Sequence, residues 1–113
     1  MKVELTKQGE IGILKTIGRL DASNEKEFKE KFQSYLAETV YFIMDFSELD
    51  FIDSTGLGAV ISSLKKATEM DGDIYIANLQ DKPRMLFEIT RAYKIFEVFD
   101  DVETAILALK KEI

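Results

Sequence analysis

A single α/β domain spanning residues 1–113 is predicted, with a mixed, mostly parallel sheet of about five strands, an antiparallel first strand and four helices. Three features predict it. Short apolar runs of strand length alternate with stretches of helical periodicity, and strands that alternate with helices call for parallel pairing through right-handed crossovers. The chain opens on two strand-like segments joined by Gln8-Gly9-Glu10, which is hairpin spacing. A length of 113 residues suits one hydrophobic core.

Each element has a local reason. Val3 and Leu5 alternate with polar neighbours, as in a half-buried strand. Ile11, Ile13 and Ile17 continue that alternation to Gly18-Arg19-Leu20-Asp21, which ends the second strand. Ser23 or Asn24 can cap the next helix, and Asn24 with Glu27 has capping-box spacing. Phe28, Phe32, Tyr35 and Leu36 form the apolar face of that helix, while Glu25, Lys26, Lys29 and Glu30 read as a solvated one. Val40 to Met44 is a continuous apolar run, suited to a central strand covered on both faces. Residues 45–53 read as a loop. Leu57, Val60, Ile61 and Leu64 have i, i+3, i+4, i+7 spacing and predict a second helix, ended by Asp71-Gly72-Asp73. Ile74 to Ala77 is the fourth strand. Asp81 caps a third helix with Pro83 in its first turn, where a missing N–H costs nothing; Leu86, Ile89 and Tyr93 are its expected inner face. Phe96 to Phe99 is a short fifth strand. Asp100 opens the last helix, whose Val102, Ala105, Ile106 and Leu109 face inward.

Composition narrows the function. Net charge is −6, which argues against binding a nucleic-acid backbone. There is no Cys and no His. Thiolate chemistry, histidine general bases, Ser-His-Asp triads and histidine metal ligands are therefore excluded. No metal or cofactor is called for. No apolar run approaches the roughly 20 residues that span a bilayer. Met1-Lys2-Val3-Glu4 reads as a strand and not as a leader peptide, so a cytoplasmic location is expected.

The most informative run is Asp45-Phe46-Ser47-Glu48-Leu49-Asp50-Phe51-Ile52-Asp53-Ser54-Thr55-Gly56-Leu57-Gly58. By position, Ser54 reads as a helix N-cap. Two observations point beyond capping. Gly56 and Gly58 fall in the first helical turn, where each costs about 0.8–1.0 kcal/mol against alanine; glycines there let another backbone come close or let the turn flex. No Lys or Arg occurs from Phe32 through Leu64, whereas Glu38, Asp45, Glu48, Asp50 and Asp53 do. A phosphate on Ser54 would add roughly −1.5 to −2 charges to an already acidic surface. Arg19, Lys82 and Arg84 are the cations that could reach it through space. In an open α/β sheet, partners bind outside the carboxyl ends of the strands, so Asp21, Ser54 and Lys82 are expected on one rim. Phe46 and Phe51 flank the loop and are expected to be buried.

With its Phe51–Gly58 segment, the apolar strand before it and the Gly18-Arg19-Leu20-Asp21 turn, the chain resembles the STAS-domain anti-sigma factor antagonists over nearly its whole length. The resemblance implies a STAS-like fold and a non-enzymatic role. Members bind an anti-sigma factor that is also a serine kinase, of GHKL type, and so release the sigma factor. The kinase phosphorylates the serine matching Ser54, which breaks the complex, and a serine phosphatase restores it. Asp21 matches a position on the kinase-binding surface, and Thr55 is a possible second acceptor. Asp53, Gly56 and Gly58 join Asp21, Ser54 and Thr55 as expected contacts. A monomer that touches neither membrane nor nucleic acid is expected.

Three other readings compete. A receiver domain with Asp45 as phosphoacceptor and Lys82-Pro83 downstream would need an acidic pair after the first strand, where Thr6-Lys7-Gln8 stands. An enzyme with Ser54 as nucleophile lacks both the G-x-S-x-G elbow and an activating base. A STAS scaffold or sensor outside sigma-factor control, in a stress-sensing assembly or a lipid-transport system, would share the same fold.

Overall fold

Gln8-Gly9-Glu10 turns the chain between β1 (Lys2–Gln8) and β2 (Ile11–Leu20), which pair antiparallel from Lys2 opposite Ile17 to Gln8 opposite Ile11. The computed structural model describes residues 1–113. β2 continues into α1 (Glu25–Tyr35) and then β3 (Tyr41–Asp45), which pairs parallel with residues 11–15 of β2. Beyond α2 (Ser54–Glu69), β5 (Asp73–Ala77) adds parallel to β3, and after α3 (Asp81–Ile89) the two-residue β6 (Val98–Phe99) closes the sheet. α4 (Val102–Lys110) ends the fold.

The sheet has six strands, one more than the sequence suggests, because residues 45–53 are not all loop. β4 (Leu49–Ile52) pairs parallel with the far end of β2. β2 is ten residues long and β3 only five, so the upper part of β2 is left without that partner. The chain leaves β3, buries Phe46 and Leu49, and returns to β2 at Gly18, whose N–H donates to the Glu48 carbonyl at 2.9 Å. Gly18 has φ +95°, a conformation that L side chains rarely adopt, and the β2–β4 register shifts there. This switch of partner sets Arg19 beside Phe51 and Leu20 beside Ile52.

Alternation along β3 sorts the core into two layers. Phe42 and Met44 face the cluster that also holds Phe28 and Phe32 of α1 and Val60 of α2. Ile43 faces the other side, where Ala105, Ile106 and Leu109 of α4 cover the sheet with Ile11 and Tyr75. Phe32 and Phe42 pack at 4.8 Å between ring centroids. The inner faces of α1, α2 and α4 follow their apolar spacing, but that of α3 does so only at Leu86, which packs against the core. In α2 the fully buried side is Gly56, Leu57, Ala59, Val60, Ser63 and Ala67, with Ile61 and Leu64 half-buried. In α3 the buried residues are Pro83 and Phe87, while Ile89 and, beyond the helix, Tyr93 are exposed. Phe87 meets Phe96 at 6.0 Å, and this contact sets the rotation of α3.

The caps differ from expectation as well. Asp101, not Asp100, caps α4 by accepting from the Thr104 N–H at 2.7 Å. Gln80 stands at the N-cap of α3 with Asp81 inside the helix. Asn24 occupies the N-cap of α1 without a side-chain capping bond. Its Oδ1 instead accepts from Asp21 N–H at 3.0 Å, and its Nδ2 donates to the Arg19 carbonyl at 2.9 Å.

At the amino-terminal edge of the sheet, burial, with Glu112 and Glu97 nearby, pushes the Asp73 carboxyl up to about 6 from its ordinary 3.8. A raised carboxylate favours folding below its unfolded pKa, and that contribution is lost as pH rises through about 6. Asp73→Asn is therefore expected to stabilise the domain at pH 7 and to match the parent at pH 4. Because Asp73 is only partly buried, screening should keep the gain to about 1 kcal/mol or less. Thermal unfolding of both proteins at the two pH values checks this.

Candidate functional site

The partner switch of β2 from β3 to β4 brings the Asp21 turn against the start of α2. Asp53 N–H donates to the Leu20 carbonyl at 3.3 Å, and Asp53 Oδ2 accepts from Ala22 N–H at 3.2 Å. Asp53 Oδ1 accepts from Gly56 N–H at 2.7 Å. Asp53 is thus the N-cap of α2 and also the clasp between the two loops of the rim. Its extended backbone, φ −104° and ψ −178°, is typical of that role.

The sequence reading of Ser54 as the cap is corrected: Ser54 is the first residue of the helix, and it is exposed. Because Asp53 makes the capping bond, the Ser54 hydroxyl is released from that task. Thr55, the second residue, is also exposed.

The two glycines have different grounds. Gly56 is buried, and a Cβ built on it would lie 2.3 Å from the Leu20 carbonyl oxygen. The close backbone approach at Gly56 is therefore internal, from β2, and Gly56 lies beneath the rim instead of on it. Gly58 is exposed, and a Cβ there would meet nothing within 4 Å. The fold does not require a glycine at 58.

Asp21 is half-buried and well occupied. Its Oδ1 accepts from the Ser23 N–H at 3.0 Å and the Ser23 hydroxyl at 2.6 Å, and its Oδ2 lies 3.5 Å from Arg19 Nε. The Ser23 hydrogen bonds, with Arg19 beside them, hold its carboxyl below the usual carboxylate range. Arg19 stands with its guanidinium 4.2 Å above the Phe51 ring. Phe46 is fully buried as expected, but Phe51 is only half-buried, under that cation. Arg and an aromatic ring together are a common make-up for a binding hot spot. The sequence signal for the pair was the Gly18 turn, which brings residues 19 and 51 into register.

Lys82 is exposed in the first turn of α3, which starts beyond the carboxyl end of β5 and packs beside β4. Asp45, the acceptor of a receiver reading, is tied down: its Oδ1 accepts from Ser47 N–H and Asn78 Nδ2, each at 3.0 Å. No group of three or more acidic side chains is arranged to hold a metal ion. No helix is long and apolar enough to cross a membrane.

Comparison with known proteins agrees with this fold. The model of the STAS domain matches residues 2–105. The chain is 30% identical over 82 residues to the anti-sigma-B factor antagonist of Listeria monocytogenes, covering 72% of each protein. It is 28% identical over 104 residues to the protein of the same name from Staphylococcus aureus, covering 91% of this chain and 96% of that one. It superposes on the unphosphorylated form of the anti-sigma factor antagonist SpoIIAA with a TM-score of 0.73 at 19% identity, over 99% of this chain and 100% of that one. That degree of identity speaks for the fold, and the family match over most of the length speaks for descent. This chain belongs to the STAS domain family.

Proposed function

We propose that this domain is an anti-sigma factor antagonist whose unphosphorylated form binds a serine-kinase anti-sigma factor, of GHKL type, and frees the sigma factor. The carrying observation is the division of labour at the start of α2. Asp53 does the capping, so the exposed Ser54 hydroxyl has no structural duty and is open to a docking kinase. The names of the relatives support the reading, as does a solved phosphorylated form of SpoIIAA with the same fold.

The role needs no catalytic group from this chain, since a kinase supplies its own base and nucleotide site. Arg19, Asp21, Phe51 and Asp53 form the floor on which the partner sits, with Ser54 and Thr55 at its edge and Gly58 beside it. Phosphate on Ser54 stands next to Asp53 in sequence, with no cation from residues 32–64 to pair with it. It changes what the rim repels more than how the domain folds. A serine phosphatase reverses the state. The domain acts in the cytoplasm as a monomer.

Incubation with the cognate kinase and ATP is expected to add one phosphate, at Ser54, and Ser54→Ala is expected to remove it. Peptide mapping by mass spectrometry reads the outcome, and undiminished labelling of the alanine variant would falsify the assignment. Gly58 offers a second check. Gly58→Ala fills open space and should stabilise the helix by about 0.8–1.0 kcal/mol. If the bare surface serves the partner, kinase binding weakens while the melting temperature rises.

A further inference from the structure

Seven large apolar side chains of this protein are exposed, and four of them fall within one eleven-residue segment: Met85, Ile89, Tyr93 and Ile95, at 60%, 77%, 49% and 52%. Met85 and Ile89 stand one turn apart, at i and i+4, on the outer side of α3; the chain then turns at Arg91, φ +61°, and sets Tyr93 in the 3-10 turn Ala92–Lys94. The inner side of α3 is already satisfied by Pro83 and Phe87, so Met85 and Ile89 have no role in the core. A groove of about 410 Å³ runs beside them, between Leu79, Arg84, Phe87, Glu88, Tyr93 and Val98. Scattered exposed apolar residues need no explanation, but four in one short segment beside a groove mark an interaction surface.

Local charge indicates what the surface fits. Residues 81–95 carry Lys82, Arg84, Arg91 and Lys94 against Asp81 and Glu88, four positive and two negative, in a chain whose net charge is −6. The stretch holding Ser54, by contrast, has no base from Phe32 through Leu64. We propose that the exposed Met85 and Ile89 of α3, with the groove at Tyr93 and the basic flanks, form a docking surface for an acidic amphipathic helix of a partner protein, separate from the Ser54 rim. A helix about 10 Å wide can lie along this strip alone, where bases outnumber acids four to two. A flat anionic membrane would meet the acidic faces too. A second copy laid face to face on it would set like charges together. The surface also descends from the rim: α3 leaves the carboxyl end of β5 and must return to the start of the parallel β6. Contact there is independent of the phosphorylation state of Ser54.

The test is titration of the ¹⁵N-labelled full chain with a designed helical peptide of about 15 residues, Leu on one face and Glu elsewhere, and with its Lys-for-Glu counterpart. The Glu peptide is expected to shift amides of residues 81–95. Ile89→Glu is expected to weaken it about tenfold or more, Ser54→Glu to leave it unchanged, and the Lys peptide to bind far less. Ile89 is exposed, so the variant should fold, and its melting curve verifies that. Met85→Glu gives a second reading of the same face. Equal binding of both peptides, shifts centred elsewhere or no binding overturns the proposal. So does tighter binding to vesicles of equal parts phosphatidylserine and phosphatidylcholine, or self-association in sedimentation that Ile89→Glu abolishes.

Discussion

Gly56→Ala is expected to destabilise the domain by about 3 kcal/mol, a large part of the stability of a small domain. The added methyl would lie 2.3 Å from the Leu20 carbonyl oxygen and 2.8 Å from its carbon. Both are backbone atoms of β2, which is held on one side by β1 and on the other by β3 and β4, so neither can turn aside as a side-chain tip would. The first turn of α2 must then lift away from the sheet, which strains the 2.7 Å bond from Gly56 N–H to Asp53 and the bond from Ala22 N–H to the same carboxylate. Loss of this cap adds to the cost. Urea denaturation of the parent, Gly56→Ala and Gly58→Ala checks the claim, since the same substitution two residues apart should move stability in opposite directions.

Ser54→Glu is expected to weaken binding to the kinase partner by several kcal/mol, on the order of a hundredfold or more in Kd, without loss of fold. The side chain is exposed at the first position of α2. A negative charge there is favoured by the helix dipole, by about 0.3–1 kcal/mol, so the melting temperature should hold or rise slightly. Binding suffers because an anion is desolvated next to Asp53, in a stretch that has no base from residue 32 to 64. Phosphoserine, with roughly twice the charge, should bind more weakly than the glutamate variant. Calorimetric titrations of the parent, Ser54→Glu and the phosphorylated protein at two salt concentrations measure this. Unaltered binding across the three would remove the electrostatic basis of the switch.

Much of the fold is legible in the sequence because it rests on local spacing. The opening hairpin follows from alternation around Gln8-Gly9-Glu10. β3 is recognised as a central strand by its unbroken apolar run, and both faces are in fact covered, by Phe42 and Met44 on one side and Ile43 on the other. β4 is hidden because Leu49-Asp50-Phe51-Ile52 sits in an acidic stretch and becomes a strand only when β2 outruns β3. The face of α3 is hidden for another reason. A nine-residue helix with apolar residues at 83, 85, 86, 87 and 89 has no unique inner side, and Phe96, which follows the helix in the chain, selects Phe87 over Ile89.

The chain alone determined the order of elements other than β4, the acidic stretch without a base and the hydroxyl at a helix start, since each is a property of residues near one another in sequence. Tertiary structure decided which residue caps, which glycine is needed and what stays exposed. Those outcomes depend on the Leu20 carbonyl and the Ala22 N–H, which meet Gly56 and Asp53 from more than thirty residues away. Contacts between distant segments are fixed by packing, and helical or strand periodicity carries no record of them.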